Sequence, residues 1–142
     1  MRLAGTLASR PTVVGYIITG RVISGNKIGR DIGFPTANIP ISDGDPVEDG
    51  VWAGIVTVEE TVYPAMINIG RNPTVGKNMH RTLEAHLLGF EGDLYDKTLE
   101  AELLEFIRSE QKFGSLGELK EKIADDKAVI EAYFRGNGLK TE

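Results

Sequence analysis

Apolar residues recur at every second position in several short segments of this chain, and at every third or fourth only near its end. Residues 51–59 alternate most clearly, with Val51, Ala53 and Ile55 on one side and Trp52, Val56 and Val58 on the other, which predicts a strand. Residues 13–23 are rich in β-branched side chains and broken by Gly15 and Gly20, so they read as one strand or two short ones with a bend. Residues 62–69 and 82–88 give two more strands. Over residues 99–107, Leu99, Ala101 and Leu103 alternate with Glu100 and Glu102, which favours a strand although Leu and Glu also suit helices. The alternation slips at Leu103 and Leu104, where a bulge fits. Pro35 and Pro40 argue against a helix over 34–41. Between these segments lie a glycine-rich loop (24–33), an acidic turn (42–50), a long polar loop (70–81) and a turn region (90–97) around Gly92-Asp93.

One helix is predicted, starting at Ser115. Ser115 and Glu118 have the spacing of a capping box. Leu116, Leu119, Ile123, Val129, Ile130 and Phe134 form an imperfect apolar stripe, which leaves Asp125 and Asp126 on the solvent face. Gly136 is a plausible stop. Many strands followed by one helix exclude the strand–helix alternation of dinucleotide folds. The expectation is a β-dominated closed barrel whose exposed edges vanish on closure, with the helix covering a mouth or flank. The chain has 142 residues, enough for one domain. Residues 1–12 read as a polar lead-in or former linker, 13–136 as the domain and 137–142 as a frayed tail.

Composition narrows the chemistry. There is no cysteine, which excludes disulfides, thiolate catalysis and zinc–thiolate sites. The only histidines are His80 and His86, too few for an ordinary structural zinc site. With 16 basic and 21 acidic residues the formal charge is −5, which disfavours nucleic acid as a partner. No apolar run reaches membrane-spanning length. No secretory leader is evident, so the expected location is the cytoplasm.

Two segments carry candidate chemistry. In the stretch from Gly25 to Asn38, Gly25, Gly29 and Gly33 let backbone N–H groups approach an anion closely. Lys27 and Arg30 add charged donors. Thr36 and Asn38 fall on the same side of an extended backbone and offer a hydroxyl and an amide carbonyl, hard oxygens suited to magnesium. A turn-rich loop with Thr and Asn capping local backbone groups explains the same residues more plainly. In the second segment, Thr82, Glu84 and His86 share one strand face while Leu83, Ala85 and Leu87 share the other. Glu84 has the chemistry of a proton acceptor for a hydroxyl nucleophile, and His86 that of a packed or orienting residue. A half-buried strand with a solvated polar face is the alternative. The run from Gly70 to Asn78 fails as a P-loop, because Gly70 to Gly76 is one residue too long and Asn78 stands where Ser or Thr is required. Phe34, Trp52, Phe90, Tyr95 and Phe113 could each stack on a planar ring, though scattered aromatics are more often core.

The run Gly29-Arg30-Asp31-Ile32-Gly33-Phe34-Pro35-Thr36-Ala37-Asn38-Ile39 closely resembles the signature of riboflavin kinases. Four further blocks match in order: Asn68-Ile69-Gly70 with Pro73-Thr74, then Glu84-Ala85-His86-Leu87-Leu88, Phe90-Glu91-Gly92-Asp93-Leu94-Tyr95, and Ile107-Arg108-Ser109-Glu110-Gln111-Lys112-Phe113. The resemblance implies a six-stranded Greek-key barrel with a C-terminal helix. It implies direct in-line transfer of a phosphoryl group from ATP to riboflavin, giving FMN and ADP with no phosphoenzyme. Thr36 and Asn38 would bind Mg2+ or another divalent ion and the nucleotide. Gly25, Lys27, Gly29, Arg30 and Gly33 would cover the ATP phosphates. Glu84 would be the catalytic carboxylate, and Arg108, Phe113 and Leu116 would hold the flavin. Many bacterial relatives join this module to an adenylyltransferase half as a bifunctional FAD synthetase. That half is not in this sequence, so a stand-alone kinase or an excised domain is expected, and Leu7-Ala8-Ser9-Arg10-Pro11 looks like the junction of the longer enzymes. The alternative is a barrel that binds flavin or nucleotide without turnover.

Overall fold

The structure is a computed structural model, and it describes residues 2–3, 15–23, 35–73 and 79–136. Its strands are β1 (Arg2–Leu3), β2 (Tyr16–Arg21), β3 (Ala37–Pro40), β4 (Gly50–Val58), β5 (Thr61–Pro73), β6 (Met79–Leu87) and β7 (Thr98–Arg108). A single described helix, α1, covers Leu116–Gly136. Six strands lie in the order β2-β7-β4-β5-β6-β3, every neighbouring pair antiparallel. Strands β4, β5 and β6 follow one another as hairpins and β7 returns to the far side of β4, which is Greek-key order. The two ends of the sheet meet where Ile23, just past β2, bridges Asn38 of β3, its N–H donating to the Asn38 carbonyl at 2.8 Å. The result is a nearly closed barrel. Gly20 permits the approach at this seam, since a Cβ there would lie 2.3 Å from Ile39 Cγ2.

Period-two patterning gives two apolar layers. Val56, Val58, Ala65, Ile67, Ile69, Leu83, Ala85, Leu87, Leu99, Ala101 and Leu103 fill the barrel. Val51, Ala53, Ile55, Met66, Leu88 and Leu104 lie in a second cluster with Ile130 and Phe134 of α1. Both faces of β4 are therefore covered, as its sequence alternation predicts. In β7 the register against β4 slips twice, passing over Leu104 and Ile107. The first slip is the bulge expected at Leu103 and Leu104. Both passed-over residues join the helix-side cluster, so the bulges turn extra apolar surface toward α1.

The structure corrects four expectations. Residues 2 and 3, read as part of a polar lead-in, form a short strand parallel to β5, with Arg2 opposite Thr61 and Leu3 opposite Val62. Two residues are too few for a periodicity to register. The loop expected over 70–81 is mostly ladder, with Gly70 opposite Thr82, Arg71 opposite Arg81, Asn72 opposite His80 and Pro73 opposite Met79. Pairing satisfies backbone groups whatever the side chains are, so polar composition concealed it. Leu116 and Val129, placed on the apolar stripe, are 57% and 51% exposed. Asp126, placed in solvent, is buried. It stands in one i, i+4, i+8 row with Ile130 and Phe134, the row that faces the barrel. The helix start is as expected, with Glu118 N–H donating to Ser115 Oγ at 3.1 Å. The Glu118 carboxylate reaches past the cap to the Gly114 N–H at 2.9 Å. No described helix is long and apolar enough to cross a membrane. The tail 137–142 lies outside the described residues.

Candidate active site

A polar row crosses three adjacent strands. Asn38 of β3 stands opposite Glu84 of β6, and Glu84 stands opposite Asn68 of β5. Their neighbours Ala37, Ile39, Leu83, Ala85, Ile67 and Ile69 all point into the barrel core. The row must therefore project from the outer face, where directly paired residues hold their Cβ atoms about 4.5–5.5 Å apart. Val51, the next residue along, already belongs to the helix-covered cluster. Asn38 is buried, and Glu84 and Asn68 are half-buried. A carboxylate is thus set between two carboxamides on one rigid ladder.

Several contacts fix the surroundings. The His86 imidazole Nδ1 lies 2.8 Å from the Pro35 carbonyl, next to Thr36. Burial pushes this imidazole below its ordinary range; the bond to Pro35 opposes that shift, and the nearby charge of Lys127 adds to it. The contact ties the ring to the backbone next to Thr36, and either a packed or an orienting role, as expected for His86 from sequence, accommodates it. Beyond the C-terminal end of β3, the buried Arg81 of β6 gathers residues 42–49. Its Nε donates to Asp49 Oδ1 at 3.0 Å, and its Nη1 to the carbonyls of Ser42 and Asp45 at 3.2 and 2.8 Å. Its Nη2 donates to the Val47 carbonyl. This guanidinium ties four points of the connection leaving the Asn38 strand, with further contacts from Tyr16 to Asp45, Trp52 to Glu48 and Arg71 to Asp43.

The end of β7 and the start of α1 form a wall beside the row. Arg108 clasps Asp126 of α1, Nε donating to Oδ1 at 2.9 Å and Nη2 to Oδ2 at 2.7 Å. Its Nη1 donates to the Ser109 carbonyl at 3.0 Å. The same guanidinium carbon lies 6.0 Å from the centroid of the Phe113 ring, a cation–π distance. Phe113 is half-buried and Leu116 exposed. The Glu110 carboxylate lies against Gly70, where a Cβ would come within 2.0 Å of Oε1. Burial raises the Glu110 carboxyl above its usual range; the charge of Asp49 adds to this, and Arg108 opposes it.

Of the residues singled out from sequence, Asn38 and Glu84 are directly paired, and Thr36 lies two positions from Asn38 on the same extended segment. Arg108 and Phe113 are in contact, while Leu116 stands exposed at the first position of α1. Gly25, Lys27, Gly29, Arg30 and Gly33 lie outside the described residues. Both flanks of that segment are anchored at the site, Ile23 by its bridge to Asn38 and Pro35 by His86. Sequence reasoning gave no site role to Asn68, which stood only in a matched block, or to Asp126, which was placed in solvent. A lone carboxamide within the apolar run 62–69 was the available signal for Asn68. For Asp126 the signal was its i−4 spacing from Ile130.

The donors can be tested against a divalent ion. No group of three or more His, Cys, Asp or Glu side chains among the described residues could hold a metal. The hydroxyl of Thr36 and the carboxamide of Asn38 are neutral hard oxygens. They fit a magnesium ion that takes most of its charge compensation from phosphates, and not a metal held by protein alone.

Fold and row together define a small Greek-key barrel protein with a candidate acid–amide site on its outer wall, flanked by a C-terminal helix. The flavokinase (riboflavin kinase) family model matches residues 13–134, and the chain belongs to that family. A bifunctional riboflavin kinase/FMN adenylyltransferase of Buchnera aphidicola is 40% identical over 136 residues, which is 94% of this chain and 42% of the relative. The RNA-binding riboflavin kinase RibR of Bacillus subtilis is 37% identical over 123 residues, 87% of this chain and 53% of the relative. The crystal structure of riboflavin kinase from Trypanosoma brucei superposes with a TM-score of 0.63 at 26% identity, covering 90% of this chain and 85% of that one. The chain thus spans about half or less of the length of these bacterial relatives.

Proposed function

We propose that this chain is the kinase module itself, transferring the γ-phosphoryl group of ATP to the terminal ribityl hydroxyl of riboflavin to give FMN and ADP. The observation that carries the reading is the pairing of Asn38 with Glu84, which sets a metal- and phosphate-binding carboxamide beside a proton acceptor. Thr36 and Asn38 would hold Mg2+, which neutralises phosphate charge when bound. Glu84 orients the ribityl 5′-hydroxyl and takes its proton as the oxygen–phosphorus bond forms and the bond to the ADP oxygen breaks. Asn68, on the other side of Glu84, keeps the carboxylate from swinging away from Asn38. Gly25, Lys27, Gly29, Arg30 and Gly33 supply donors to the phosphates, between flanks tied to the same row. Phe113 and Leu116 face the isoalloxazine ring. Arg108, whose guanidinium already serves Asp126 and Ser109, contributes to that wall through its contact with Phe113. Transfer is direct, and most of the acceleration comes from positioning and electrostatics.

The relatives named as bifunctional support an adenylyltransferase partner domain in a longer parent chain. The reading assigns small molecules as the only substrates and the cytoplasm as the place of action. The formal charge of −5 disfavours nucleic acid as a further partner, although one relative is named an RNA-binding riboflavin kinase. Purified protein incubated with riboflavin, ATP and magnesium should yield FMN and ADP in equal amounts on chromatographic separation. Flavin that is bound but not converted would select the non-catalytic binding barrel instead.

A further inference from the structure

We propose that Asp126 is a positioning residue for the flavin: through Arg108 it fixes the placement of Phe113, and so the shape of the ring-binding wall. The inference rests on the riboflavin reading above and adds to it a residue with no contact to either substrate.

The geometry runs in one direction. Asp126 is the sole acid in the buried row of α1, at 3% exposure between barrel and helix. Its carboxylate accepts from both Nε and Nη2 of Arg108, a bidentate arrangement that fixes the plane of the guanidinium as well as its position. The remaining nitrogen, Nη1, holds the Ser109 carbonyl, the first residue after β7. A guanidinium held at three corners then presents its carbon to the Phe113 ring at 6.0 Å. Residues 109–115 have no ladder of their own, and their backbone is tied down by Arg108 at one end and the helix cap at the other. Where backbone pairing is missing, the one planar cation they pack against sets where the aromatic ring sits. A lysine would satisfy the charge of Asp126 without offering a fixed plane.

The nucleotide side of the site is built differently, on the ladder of β3, β6 and β5. Loss of the clasp should therefore separate the two substrates. In Asp126→Asn the KM for riboflavin should rise about tenfold, with the KM for ATP and kcat at saturating riboflavin each within about threefold of the parent. Phe113→Leu should cost a similar factor. If the clasp acts through the ring, the double variant should also show about a tenfold rise and not about a hundredfold. Circular dichroism and thermal melting establish that each variant is folded. Should Asp126→Asn fail to fold, Asp126→Glu carries the same comparison, because it keeps the charge for Arg108 and displaces the carboxylate by one methylene. An unchanged riboflavin KM in a folded variant, factors that multiply, or an equal loss toward both substrates would each overturn the proposal while leaving the kinase reading intact. A parent chain that formed no FMN would overturn the kinase reading and this proposal together.

Discussion

Replacing Glu84 with Gln tests the chemistry with little disturbance to the fold. The side chain projects from the outer face between Asn38 and Asn68, while its neighbours Leu83 and Ala85 on β6 are 0% and 1% exposed in the barrel core. The substitution nearly keeps volume, replaces one acceptor oxygen by an NH2 donor and removes one negative charge, so stability should change by no more than about 1 kcal/mol. A positioned general base contributes about 10²- to 10⁴-fold in rate. That range corresponds to about 2.7–5.4 kcal/mol of barrier. Glu84→Gln should therefore lower kcat for FMN formation by that factor while calorimetry still detects ATP–Mg and riboflavin. Glu84→Asp keeps the charge and retracts it by one methylene, about 1.5 Å. If position matters as much as charge, Asp should also lose about a hundredfold. A folded Glu84→Gln variant that kept a third or more of parental turnover would remove Glu84 from the role of base.

Thr36→Ala should weaken ATP–Mg binding about tenfold by calorimetry, the usual worth of a hydrogen bond to a charged group, and unchanged affinity would contradict the assignment. Because His86 titrates below its unfolded value of about 6.5, the unfolded chain takes up the proton first. Its contribution to stability is complete above that pH and is lost as pH falls through the folded-state value, so denaturant midpoints should decline on acidification. His86→Asn, which keeps a donor for Pro35, should lessen that decline, and an identical pH dependence in the variant would exclude the histidine as its source. The two-residue turn between Val58 and Thr61 holds Glu59 and Glu60 at φ 46° and 73°, the left-handed conformation of a type I′ hairpin. Glu60→Gly should raise stability by about 0.5–1 kcal/mol after the entropy of glycine is counted, and a lowered melting temperature would contradict that.

What the sequence made legible was what repeats. Strict alternation identified β4 and β6 and even divided β4 correctly between the barrel and the helix side. A break in alternation was enough to locate the bulge at Leu104. Polar ladder could not be read in the same way, because the pairs from Gly70 to Pro73 with Met79 to Thr82 are made by backbone groups common to every residue. The site was legible in its parts, since Thr36, Asn38 and Glu84 are chemically conspicuous. Their juxtaposition was not, because it depends on a register between strands more than 40 residues apart in sequence. Asp126 was hidden for a different reason. A charge on a helix is assigned to solvent unless its counterion is known, and that counterion, Arg108, lies on another element.

The site's two halves are held by different physics, and this decides how each should respond to change. Asn38, Glu84 and Asn68 are fixed by main-chain pairing on both sides, so altering one side chain leaves the spacing of the others in place. Phe113 has no such ladder, and on the proposed reading its place depends on the side-chain clasp between Arg108 and Asp126. A ladder suits phosphoryl transfer, where misplacing the reacting atoms by about 1 Å costs about a hundredfold. A clasp is adequate for a planar ring, whose burial is non-directional and tolerates small displacements. Substitutions along the row should therefore act on turnover and nucleotide binding, and those in the clasp on flavin affinity. The two should be separable because no strand is shared between the ladder β3-β6-β5 and the β7–α1 clasp.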